Sequence, residues 1–384
     1  MTATDTEHSG PPPSLSRTGG AAPPRAARAP RLLLLAAGGV SMLAGLNAAL
    51  LLLGLPAPLE HTSGPGLHGM LMVLGFLGTL ISLERAVALR APWGLLAPAL
   101  LGAGALMLLT PVPAVVGQLL LVNGAVMLCA VYVALWQRSR DHTVLVQFLG
   151  ALLAACAALL WGRVGIADLV ALLTGFIVLT IAAERVELAR LTLPRRADLI
   201  ILAIAGALVG AALAAVLWPG VGARLFGLML VGLSVYLLRH DVARRMIGSH
   251  GLPRFAAAAM LVGYLWLILS GLLWVVGGPA QVPGWYDLVV HGVFLGFGMS
   301  MVMAHAPVIL PAVLRIQLPY HPVLWAPLTA LHTGMVVRSA GVCTDNAPLW
   351  QAGGVATIIS ILLLALSAAA LAVRAGLTRK VVTP

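Results

Sequence analysis

The sequence predicts an all-α polytopic membrane protein of about twelve transmembrane helices, and three observations predict it. Of 384 residues, 60% are hydrophobic and only 9% are charged, more apolar side chain than a water-soluble domain can hide. The apolar residues come in runs of roughly 20, the length that spans a bilayer core. The basic residues stand in short clusters between those runs, the positive-inside pattern of a multi-pass protein.

Proline, glycine and charge punctuation places the spans in order. Residues 1–30, rich in Pro, Ala, Gly and Arg, form a disordered cytoplasmic tail, and the apolar run after them is too long for a cleaved leader. The first span covers 31–55, up to "GLPAP". The second, 66–89, lies between "GPG" and "RAP". The third, 93–110, follows Pro92 and stops at "TPVP". The fourth, 113–136, and fifth, 143–161, are parted by "QRSRDH". The sixth, 165–189, closes on "ERVELAR", and the seventh, 198–218, opens after "LPRRAD". Only "WPGVGAR" separates the seventh from the eighth, 221–240, the tightest joint in the chain. The ninth, 255–276, and tenth, 285–314, are divided by "GGPAQVPG". The eleventh, 322–341, follows "LPYHPV", and the twelfth, 348–374, follows "DNAP". The transmembrane domain is therefore 31–376, with a short cytoplasmic tail at 377–384.

Orientation follows from the arginines. With the N-terminus inside, only Arg163, Arg224 and Arg338 fall on the outer side, leaving 20 of the 23 basic residues in the tails and inner loops. Both termini are expected inside a bacterial-type inner membrane. The net charge of +11 belongs to this bias, so the bilayer, and no nucleic acid, is the expected partner. Cys129, Cys156 and Cys343 are far apart and form no CxxC, which argues against a disulfide framework or thiolate metal centre. No Walker sequence, HExxH pair or serine elbow occurs. "GVGARLFG" opens a membrane helix rather than a strand–helix unit.

The second span has a counterpart. Gly75-Phe76, Ile81 and Glu84-Arg85 recur 100 residues later as Gly175-Phe176, Ile181 and Glu184-Arg185. The tenth span offers a weaker third copy, with Gly296-Phe297 nine residues before His305. The pattern is four helices long and repeated three times.

Twelve helices in three groups of four resembles the catalytic subunit of heme–copper oxidases, in which histidines on the second and tenth helices hold a low-spin heme. His68 and His291 lie near the outer ends of these two spans, each followed by glycine, a small residue that lets a flat ring approach the backbone. The stretches "HGMLMVLGF" and "HGVFLGFGMSMVMAHAP", with the twelve-span length, resemble the NnrS family of bacterial membrane proteins. Members of that family have a richer "HAHEM"-type cluster in the second helix, of which His68 and Met70 remain. The resemblance implies heme, with copper as a further metal, and a link to nitric-oxide or nitrosative stress. A heme edge near the outer face would suit a quinone or another redox partner there.

Each candidate has a plainer alternative. His68 and His291 are axial ligands of heme b or interfacial helix caps. His305 lies 14 residues after His291, about 21 Å deeper on nearly the same face. It serves a second metal, or bonds backbone freed by Pro307, and the structural role is favoured. His332, mid-span in the eleventh helix, is a metal ligand, a proton relay or a hydrogen-bonding group. His321 belongs to the interface, and His8, His61, His142, His240 and His250 to loops and helix ends. Arg338 is placed to pair with heme propionates or to snorkel, with Arg163 a weaker candidate. Glu84 and Glu184 are expected to pair with Arg85, Arg185 or a neighbouring helix end. The sixth and seventh spans hold no histidine, so the oxidase copper site and oxygen reduction are not expected. The rival functions are a twelve-helix permease and an inert scaffold.

Overall fold

The computed structural model describes residues 28–59, 64–189 and 196–382. Among them, a helical element stands at each of the twelve expected positions. These are α1 (Arg28–Leu52), α2 (Pro65–Leu89), α3 (Pro92–Met107), α4 (Ala114–Ser139), α5 (His142–Leu160), α6 (Ile166–Leu188), α7 (Ala197–Leu217), α8 (Pro219–His240), α9 (Leu252–Gly277), α10 (Pro283–Leu314), α11 (Trp325–Cys343) and α12 (Ala347–Val382). Ten of them are long and apolar enough to cross a membrane, so the chain is a multi-pass helical membrane protein. The other two are α3, which is shorter, and α11, which carries His332 and Arg338 among its apolar residues. The predicted N-terminal tail lies outside the described residues up to position 27, and α1 begins before position 31. At the other end α12 continues as helix through Val382, past the expected tail boundary at 377.

Local chemistry explains the ends. Pro92, Pro219 and Pro283 open helices, where a missing N–H costs nothing. Asp141 caps α5 by accepting from the Thr143 amide at 3.0 Å. Arg90, Arg140 and Arg315 end α2, α4 and α10 in the left-handed conformation, with φ of 57°, 54° and 53°. All three lie on the side that the sequence assigns to the cytoplasm, where a side chain that reaches water is worth more than the freedom a glycine would bring.

The three helices of the repeat meet in the interior. α6 is the most enclosed, with 78% of its apolar stretch buried, against 28% for α12. Gly78 of α2 faces Phe176 of α6, and Gly298 of α10 faces Ile177 of α6, at distances where an added methyl would just touch. α2 and α10 share a further feature. Each contains an eight-residue π-helical segment, Leu71–Gly78 and Gly292–Met299, with the Gly-Phe pair at its fifth and sixth positions. Such widened turns are rare and concentrate at functional sites. The matching Gly175-Phe176 of α6 lies in unbroken α-helix. The widened turns thus occur in the two helices that carry His68 and His291.

Candidate functional site

His68 occupies the first α-helical turn of α2, and His291 immediately precedes the π-segment of α10. The fold brings the two rings together, with centroids 6.4 Å apart and planes tilted by 39°. Each ring is held by its Nδ1. His68 Nδ1 lies 2.8 Å from the Gly45 carbonyl of α1. His291 Nδ1 lies 3.0 Å from the Asp287 carbonyl and 3.2 Å from the Asp287 carboxylate. A carbonyl only accepts, so each Nδ1 carries the proton and each Nε2 presents a lone pair. Neither Nε2 has a hydrogen-bond partner among the described residues.

A further pair of residues stands behind His291. Arg338 of α11 donates from Nε to Asp287 Oδ2 at 2.8 Å and from Nη2 to Oδ1 at 2.5 Å. Both side chains are buried, and the guanidinium lies 5.6 Å from the centre of the Trp350 ring. Gly353 of α12 makes this possible, because a Cβ there would collide with the Arg338 backbone. In the structure the partner of Arg338 is Asp287, a contact that the sequence reading did not include. Its fork is committed to Asp287, which in turn orients His291, a relay typical of histidines that bind metals. Sequence reasoning missed Asp287. The available signal was a lone acid one helical turn before His291.

His68 and His291 would be the residues to hold an iron: nitrogens about 2 Å from a shared metal, each about 1 Å from its ring centre, would allow centroids roughly 6 Å apart. Among the described residues, no group of three His, Cys, Asp or Glu side chains is placed to hold an ion. Among the described residues the neighbouring imidazoles of His68 and His291 are the candidate donors, and a porphyrin is a group that would need only such a pair from the protein.

The other histidines are engaged differently. His332 Nδ1 accepts from Trp266 Nε1 at 3.1 Å, and its Nε2 faces Ser300 Oγ at 3.4 Å. Ser300 donates to the Gly296 carbonyl at 2.6 Å, which leaves its oxygen free to accept from His332. Both ring nitrogens of His332 are thus taken up by protein. His305 Nδ1 lies 2.7 Å from the Met301 carbonyl, one turn back, and its Nε2 accepts from Arg185 Nη1 at 3.1 Å. Its partners are this carbonyl and this arginine, rather than the backbone freed by Pro307. His321 accepts from the Val323 amide at 3.1 Å, and His142 bonds Asp198 at 2.8 Å. His240 Nδ1 lies 2.8 Å from the Tyr236 carbonyl. Arg163 is exposed, while His8 and His61 lie outside the described residues.

At the opposite end of the same helices is an ion network. Arg85 donates to Glu84 at 2.6 Å and to Glu184 at 2.8 Å, so the expected pairing includes a bond between α2 and α6. Arg185 forks onto Asp241 with two bonds of 2.9 Å. Tyr264 donates to the same carboxylate at 2.5 Å, and the Ala243 amide at 2.8 Å. Asp241 lies just beyond α8. Burial pushes its carboxyl up, but the Arg185 fork, the Ala243 amide and Tyr264 together hold it below the usual value.

The model of a family described as "Domain of unknown function (DUF8744)" matches residues 31–373, nearly the whole chain. None of the curated proteins matches it.

Proposed function

We propose that this chain, which belongs to the DUF8744 family, is a b-type hemoprotein of the bacterial inner membrane whose heme is held by His68 and His291. The observation that carries this proposal is the imidazole pair. Two rings from distant parts of the chain meet at 6.4 Å, each fixed through Nδ1 and each with a free Nε2. The proposal includes twelve crossings, with α3 and α11 among them, both termini inside and the site near the outer face.

When bound, heme supplies a one-electron couple. The chain's contribution is ligation and orientation. Gly45 fixes the ring of His68, and Asp287 and Arg338 fix that of His291. With both imidazoles committed to holding it, the heme would supply electron transfer rather than turnover of a gas. An outer redox protein or a quinone is the matching partner. The link to nitric-oxide or nitrosative stress rests on the resemblance to the NnrS family alone. Copper would need donors beyond the two imidazoles.

The full-length protein, purified in detergent from heme-replete cells, should show a Soret band and a reduced-minus-oxidised α-band. Elemental analysis should give iron in proportion to protein. Colourless protein from such cells would sink the proposal. The permease reading has one supporting observation, a cavity with Glu84, Glu184 and His305 in its wall. Solute flux in proteoliposomes made from colourless protein would favour it.

A further inference from the structure

We infer that the cavity between α2 and α10 is a binding site for an organic monocation with an apolar body, whose guanidinium or ammonium head takes the place of a missing third arginine. The argument begins with the repeat. Positions 84, 184 and 305 are equivalent, each nine residues after the glycine of a Gly-Phe pair, and they hold Glu, Glu and His. The residues that follow are Arg85, Arg185 and Ala306.

The contacts among these positions run in one direction. Arg85 of the first copy crosses to Glu184 of the second at 2.8 Å. Arg185 of the second copy crosses to His305 of the third at 3.1 Å. By the same rule, the residue after His305 would cross to Glu84 and close a ring. It is alanine, and Glu84 instead shares Arg85, at 2.6 Å.

A cavity of about 390 Å³ lies where this third link is missing. Ala306, Glu84, Glu184 and His305 stand in its wall. α2 and α10 form most of the lining, with contributions from α6, α1 and α12. The volume is within the range of small-molecule sites.

Charge and lining define the occupant. Arg185 is matched by Asp241 through two bonds, so it leaves no charge over. Among the described residues, Arg85 is the cation paired with both Glu84 and Glu184. Within this group of described side chains one carboxylate is in excess beside a largely apolar space, an arrangement that a further positive charge would stabilise. An anionic headgroup would be repelled. The remaining wall is mainly aliphatic, including Met42, Leu80, Ile181, Ile309 and Leu364, and suits an alkyl or otherwise apolar body. This inference does not depend on the heme proposal.

The test uses the full chain in detergent with two probes of equal tail, dodecylguanidinium and neutral dodecylurea. Equilibrium binding and thermal shift should favour the guanidinium at least tenfold, and Glu84→Gln should abolish that preference. Ala306→Arg should remove guanidinium binding and raise the melting temperature with no ligand present. Ala306→Met, which adds bulk without charge, should not raise it. The inference is overturned if both probes bind wild-type protein alike. It is equally overturned if Ala306→Arg and Ala306→Met melt alike. Because α10 also carries His291, the heme spectrum of each variant is recorded as an independent check on that site.

Discussion

His291 and His305 lie on one helix, 14 residues apart, and begin from the same local geometry. Each turns Nδ1 toward a carbonyl four residues back, Asp287 in one case and Met301 in the other. They differ in what stands opposite. His291 faces another imidazole, that of His68, with ring centroids 6.4 Å apart. His305 faces the Arg185 guanidinium, which donates into its lone pair. A histidine's place in its own helix sets which nitrogen is tethered. The helix across from it decides whether the other nitrogen can hold a metal.

Breaking the outer pair should give the largest effect. If heme is held as proposed, His68→Ala and His291→Ala should each abolish the b-type spectrum, because each removes a proposed ligand. His305→Ala should leave it intact. A spectrum that survives His68→Ala, or one lost with His305→Ala, would reverse the comparison.

The inner network should matter chiefly for stability. Arg185→Ala would leave Asp241 buried without its fork, at a cost of about 3–5 kcal/mol. Thermal unfolding in detergent should register this loss, with residual heme absorbance per folded molecule unchanged. The same pair should give an acid dependence. A carboxyl whose native value lies below its unfolded value stabilises the fold above the unfolded value, and that contribution fades as pH falls through the native one. Asp241 should therefore add stability at neutral pH and lose it in acid. Asp241→Asn should flatten this acid limb.

Asp287→Asn should sharpen the comparison from the other side. It keeps the backbone carbonyl that tethers His291 but weakens the charged support behind the ring. Heme retention should fall roughly 10–100-fold, as for other lost second partners of metal-binding histidines, with both ligands still present. Titrating heme out with apo-myoglobin would measure it. The smallest effect belongs to His332. Trp266→Phe removes one hydrogen bond and should cost about 1 kcal/mol with no spectral change.

Much of this was legible in the chain. Long apolar runs and basic clusters place the helices, because lipid tolerates little else. His68 and His291 were singled out because the twelve-helix plan resembles that of heme–copper oxidases, whose second and tenth helices carry heme-binding histidines. Other features left no trace at the level of spacing. Asp287, Asp241 and Tyr264 are single polar residues whose partners lie 51, 56 and 23 positions away in sequence. The π-segments also escaped, since "LMVLGFLG" and "GVFLGFGM" have the apolar content of ordinary helix.

By itself the sequence determined that the chain lives in a membrane, where its helices begin and end, and which histidines were worth weighing. Those properties depend on local composition and on the lipid solvent. Only tertiary structure decided that Arg338 grips Asp287, that His332 is satisfied by Trp266 and Ser300, and that a cavity lies beside Ala306. Each depends on which helix faces which. In a bundle whose surfaces are nearly all apolar, that is set by glycine-sized fits and a few buried charges.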